Sequence, residues 1–108
     1  MTDNTKSILV LSTIPDPASA KSIAEKLVNE KLAACVNVIT DVQSIFRWQA
    51  KIDNANENIL VIKTKDNLYN ELEERIKELH PYELPEIISV SIDKGLPKYL
   101  DWISESTK

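Results

Sequence analysis

The sequence predicts an α+β fold: two helices threaded through four strands in the order β-α-β-β-α-β, closed by a short C-terminal helix. Three observations carry this. Two segments repeat apolar residues at helical spacing. Four segments are apolar and rich in Val and Ile. Proline, aspartate and asparagine fall mainly between these segments rather than inside them. At 108 residues and 12.2 kDa the chain 1–108 is expected to form one domain, led by a polar, flexible tail at 1–6.

"SILVLST" (7–13) reads as the first strand, short, apolar and ended by proline. A helix follows over 17–31, with Asp16 as N-cap and Pro17 at the first helical position. Its inner stripe is Ala20, Ile23, Ala24, Leu27 and Val28. "AACVNVITDVQSIFRWQ" (33–49) alternates as a long strand, with a bulge expected near Thr40-Asp41. Strict alternation puts Val36, Val38, Val42, Phe46 and Trp48 on one face, and Cys35, Ile39 and Ile45 on the other. "AKIDNANE" supplies Asp and Asn for a turn, and "NILVIKTK" (58–65) returns as the third strand. Asp66 is expected to cap the second helix. Leu68, Leu72, Ile76 and Leu79 face inward there, with Glu71, Glu74, Arg75 and Lys77 in water. "EIISVSI" (86–92) is the fourth strand and "LPKYLDWIS" (96–104) the final short helix.

This order is the ferredoxin-like split βαβ plan, with both helices on one face of an antiparallel sheet. The central strands are nevertheless apolar on both faces: Ile8 and Val10 against Leu9 and Leu11, and Ile59 and Val61 against Leu60 and Ile62. A lone chain would leave one of these faces open, and burying such a side chain is worth roughly 1.5–3 kcal/mol. The long 33–49 and 58–65 hairpin also outreaches its neighbours, leaving Phe46 and Trp48 without partners in their own chain. Both features predict self-association.

Composition excludes several classes. One glycine, Gly95, cannot build a Walker-type or dinucleotide-binding loop. A net charge of -4, spread along the chain, argues against nucleic acid or an anionic membrane as partner. The third strand also lacks the stacking aromatics of an RNA-binding sheet. The longest uncharged apolar run, Ile8 to Leu11, is too short to span a bilayer, and "MTDNTKS" lacks the plan of a signal peptide. With the single cysteine, Cys35, these features predict a cytoplasmic protein.

Few residues stand out chemically. Cys35 is either a thiol with a role or a small buried hydrophobe. His80, the sole histidine, precedes Pro81, and a residue before proline is pushed out of the helical region. Its first expected role is therefore to end the second helix. With Glu83 or Glu86 it would also suit a borderline ion such as Cu(II) or Zn(II), although no paired-ligand motif accompanies it. Trp48, Lys63 and Tyr82 have the chemistry of a small anion pocket at a chain–chain junction. No pairing of a nucleophile with a base is visible.

"LVLSTIPD", "AEKLVNEKLAACVNVI", "SIFRWQ", "ILVIKT" and "ELHPYELPEIISVSI…GLPKYLDWI" together resemble the CutA divalent-cation tolerance family, collinearly from Ile8 to Ile103. The resemblance implies a cytoplasmic homotrimer of ferredoxin-like subunits, similar in assembly to the PII signalling proteins. It also implies a role in tolerance of copper and other divalent cations, without an enzymatic reaction or a required cofactor. By position it implies an intersubunit cleft holding Cys35, Trp48, Lys63, Tyr82 and Glu86, with His80 as the metal-binding candidate. Ser12 and Leu79 stand where some copper-binding relatives carry cysteine and histidine, so only weak Cu(II) binding is expected. The alternative is a PII-like sensor that binds a small anion in the same cleft. Acylphosphatases share the strand order, but they need a phosphate-holding loop that this chain cannot build.

Overall fold

A computed structural model describes residues 5–108. Residues 1–4 of the expected tail lie outside the described residues; Lys6 is tied down, its carbonyl accepting from Asp66 N–H at 2.8 Å. The elements are β1 (Ser7–Ile14), α1 (Pro17–Asn29), β2 (Cys35–Trp48), β3 (Lys51–Lys65), α2 (Tyr69–Leu79), β4 (Ile88–Ser91) and α3 (Pro97–Glu105). The four strands form one antiparallel sheet in the order β2-β3-β1-β4, so the expected first and third strands are central.

Helix α1 begins as the sequence requires. Asp16 is extended (φ -131°) and its Oδ1 accepts from Ser19 N–H at 2.8 Å, with Pro17 next. This bond is the main reason the Asp16 carboxyl is held below its usual range. The helix stops at Asn29, two residues short of the expected 31. Lys31 there takes a left-handed conformation (φ 60°). Leu32 N–H donates to Leu27 carbonyl and Lys31 N–H to Val28 carbonyl, closing a Schellman motif without the usual glycine.

The hairpin departs from expectation in two places. First, the Asp and Asn residues of "AKIDNANE" do not make the turn. The turn is Gln49-Ala50, with φ of 49° and 64°, and β3 starts at Lys51. Positive φ at both central residues matches the right-handed twist of paired strands, which is why two residues suffice. Second, the bulge lies where expected, but it also reverses the faces. Val38 pairs with Leu60 and Ile39 with Ile59, yet the next pair is Val42 with Glu57. Directly opposed residues share a face. Val36 and Val38 therefore lie on the side of Leu60 and Ile62. Val42, Phe46 and Trp48 lie on the side of Ile59, Val61 and Lys63, together with Cys35 and Ile39. Ile45, opposite Asn54, moves to the first side. The displaced turn formers serve the bulge instead: Asn56 Nδ2 donates to Asp41 Oδ1 at 3.1 Å, beside the positive φ of Asp41 (65°).

Asp66 is not an N-cap. It opens a single 3₁₀ turn over Asp66–Leu68, and α2 starts after it at Tyr69. Leu72 and Ile76 are fully buried and Leu68 nearly so, as the helical stripe predicts. Arg75 does not simply face water. Its guanidinium meets Glu30 at 2.8 and 2.9 Å, tying the end of α1 to α2. Strand β4 is four residues long, shorter than the expected 86–92, and pairs with β1 alone.

One face of the sheet, carrying Ile8, Val10, Ile14, Leu60 and Ile62, is sealed by Ala20, Ile23 and Leu27 of α1 and Leu72 and Ile76 of α2. Ser12 lies in this dry layer. Its Oγ has no hydrogen-bond partner, a cost of about 1–3 kcal/mol. The other face is open. Ile39, Ile88 and Val90 are 48%, 50% and 48% exposed beside half-buried Leu9, Leu11 and Val61. The hairpin extends this face beyond β1 and β4, giving a body of 52 × 26 × 23 Å.

The Arg75 contact, chiefly its hydrogen bond, holds the Glu30 carboxyl below its ordinary value of 4.5. A depressed carboxylate stabilises the fold above its unfolded pKa and loses that contribution as pH falls through the folded one. Glu30→Gln is therefore expected to unfold at lower urea concentration than the parent chain at pH 7. The gap should narrow as pH falls below the ordinary carboxylate range and through the folded-state pKa; equal midpoints at pH 7 would contradict the pairing.

Candidate functional site

The sheet brings the candidate residues into two separate groups. The first sits where β2 begins. Cys35 and Lys63 are directly opposed across β2 and β3 on the open face. Lys63 Nζ lies 3.8 Å from Cys35 Sγ and donates to Asn37 Oδ1, two residues further along β2. The thiol is free and half-buried. An ammonium, an amide and a thiol thus converge on one patch whose strand neighbours are apolar, an arrangement suited to a small anion.

The second group lies at the far end of β1. Helix α2 stops at Leu79 because His80, ahead of Pro81, has extended backbone (φ -78°, ψ 136°). Its N–H still reaches back to Ile76 carbonyl at 2.8 Å. Tyr82 N–H donates to His80 Nδ1 at 3.0 Å, which fixes the ring proton on Nε2. Nε2–H in turn donates to Thr13 carbonyl at 2.7 Å. The rings of His80 and Tyr82 lie 5.1 Å apart, tilted by 45°. The Tyr82 hydroxyl donates to Glu57 Oε2 at 3.0 Å, and burial first, then this carboxylate, raises the Tyr82 pKa above 10.

Glu57 is a residue the sequence reading missed. It is only 6% exposed: the alternation of β3 sets it on the open face with Ile59 and Val61, where the Tyr82 hydroxyl reaches it. The one signal in the sequence is a carboxylate set two residues ahead of the apolar run 59–62. Beside it a cavity of about 370 Å³ opens between Pro15 and Pro17, ahead of α1, and Asp41, Asn56, Glu57 and Asn58 at the bulge.

The two groups do not meet within a chain. Glu57 and Lys63 are six residues apart on β3, about 20 Å at the strand rise. Trp48, 52% exposed, pairs with Lys51 at the hairpin end, another six residues from Glu57 and about 20 Å the other way. Glu86 is exposed between Pro85 and Ile87. The metal role expected of His80 meets a ring with no free lone pair: Nδ1 accepts and Nε2 donates. Among the described residues no three His, Cys, Asp or Glu side chains gather closely enough to hold an ion. No described helix is long and apolar enough to cross a membrane.

Comparison with known proteins gives a consistent result. A family profile, the CutA1 divalent ion tolerance protein, matches residues 8–106. The divalent-cation tolerance protein CutA of Thermus thermophilus is 44% identical over 99 residues, spanning 92% of this chain and 96% of the relative. A solved Thermus thermophilus structure superposes with a TM-score of 0.93, at 43% identity, over 94% of this chain and 99% of its own. The crystal structure of CutA1 from Oryza sativa gives a TM-score of 0.94 at 38% identity, over 96% and 95% of the two chains. A structure from Archaeoglobus fulgidus, described as the periplasmic divalent cation tolerance protein CutA, gives 0.91 at 35% identity, over 94% of this chain and 99% of its own.

The Tyr82–Glu57 bond ties the 80–87 segment to the sheet, beside the bond from His80 to Thr13. Tyr82→Phe should lower stability by about 1.5–3 kcal/mol, the usual loss for a hydrogen bond to a charged acceptor. Urea unfolding measures this, and an unchanged midpoint would show that the bond contributes nothing.

Proposed function

From the premise that this chain belongs to the CutA1 divalent ion tolerance family, we propose that it acts in divalent-cation tolerance as a trimeric binding or regulatory protein without a reaction of its own. Its subunits are of the ferredoxin-like kind, assembled in the manner of PII proteins, and it works in the cytoplasm. Copper is the first cation to consider, bound weakly. One observation carries the reading: the open face holds incomplete groups about 20 Å apart, joined by uncovered apolar residues. Packing three such faces together covers Ile39, Ile88 and Val90, each worth about 1 kcal/mol for the half still exposed. The same packing lets Trp48 and Glu86 of one copy approach Cys35, Lys63 or Tyr82 of the next, forming the cleft.

The cleft's donor set favours weak metal binding. Cys35 is the one soft ligand, and it lies beside the Lys63 ammonium, which repels a cation. That ammonium supports a second reading, in which the cleft senses a small anion held by Lys63 and Asn37.

Light scattering at micromolar concentration is expected to give about 37 kDa, three times 12.2 kDa, and Val90→Glu should reduce it toward one chain. A mass of one chain for the parent protein would sink the assembly. For the second reading, a thermal-shift screen of small mono- and dicarboxylates and phosphates should find a stabilising anion whose effect disappears in Lys63→Ala. A screen without any such anion would count against it.

A further inference from the structure

We infer that His80 is a clasp that positions Tyr82 in the cleft and is itself withheld from metal ions. This rests on reading the 80–86 segment as a wall of that cleft. The chain has one histidine, 8% exposed, and each of its ring nitrogens is matched to a backbone group of opposite kind. Those groups come from different parts of the chain: Thr13 carbonyl ends β1, and Tyr82 N–H belongs to the segment after α2.

The local sequence explains why a side chain is needed there. Pro81 has no N–H, so Tyr82 carries the first free donor after the helix. The backbone N–H of His80 is already spent on Ile76. The imidazole is the one group that accepts at Nδ1 and donates at Nε2 at once, across two segments. With its N–H fixed, Tyr82 lays its ring against the imidazole and its hydroxyl on Glu57. A cation at Nδ1 would leave Tyr82 N–H unpaired, and one at Nε2 would displace the proton that serves Thr13. Either way a partly buried backbone group loses its partner. The cleft's shape and its lack of a histidine ligand therefore have one cause.

Three measurements on the full chain test this. Long-range ¹H–¹⁵N spectra of the parent protein should show the Nε2–H tautomer, unaltered by equimolar Zn(II). A shift of either ring nitrogen to a metal-bound value would overturn the inference without any variant. His80→Asn keeps an acceptor near Nδ1, and His80→Gln keeps a donor near Nε2. In Cu(II) titrations both are expected to match the parent protein, including the case where none of the three binds. A loss of about tenfold or more in both variants, the scale of removing a metal-site partner, would overturn it. Finally, Tyr82→Phe should change stability far less in the His80→Gln background than in the parent chain. Full additivity would mean that His80 does not position Tyr82. The tautomer is legible in a single chain, so a protein that fails to trimerise still tests the clasp.

Discussion

One extra residue in β2 decides what each side of the sheet does. Before the bulge, the strand sends Val36 and Val38 toward the helices and Cys35, Asn37 and Ile39 toward the open face. Without a bulge the same alternation would put Val42, Phe46 and Trp48 with the helices, although the hairpin has by then outrun them. The added residue reverses the phase, so the aromatic end of the hairpin continues the apolar surface begun by Ile39, Ile59 and Val61. It also brings Val42 opposite Glu57, on the side where Tyr82 reaches that carboxylate. The arm of the hairpin and the open face thus form one continuous surface because of this phase change.

The constraint leaves an acidic, glycine-poor chain with two unlike faces. Helices seal one face, and the sheet's second face stays open. Polar groups are placed at intervals along it: Lys63 with Asn37 and Cys35, then Glu57 with Tyr82, then the indole of Trp48. Each is too small to be a site alone. Spacing them along one strand pair keeps them apart within a chain.

Much of the architecture was legible in the sequence because it depends on periodicity and caps. The Asp16-Pro17 start of α1, the stripe of Leu72 and Ile76, and the sheet's central strands needed nothing else. What was hidden depends on single residues adopting uncommon backbone angles. Lys31, Asp41, Gln49 and Ala50 all have positive φ, and none is glycine. A glycine there would have marked the end of α1, the bulge and the turn. Without one, the turn was sought among the Asp and Asn residues of β3, and the face reversal passed unseen. In the candidate site, His80 and Tyr82 were visible as residue types. Glu57 was not, since its partner Tyr82 lies 25 positions away, and the tautomer of His80 depends on a carbonyl 67 positions away.

The brevity of β4 has a consequence in time. Four ladder pairs hold it to β1, while β3 is paired at twelve residues with β2 and at eight with β1. The 80–87 segment and β4 therefore form the part of the sheet that opens first, and β1 with β3 the part that opens last. Ile88 and Val90 belong to the opening part, Leu11 and Val61 to the lasting one. The open face, bordered on one side by a stable strand pair and on the other by a lightly held strand, would breathe from one edge. Anything that covered that edge would slow amide exchange in β4 well before it altered the core.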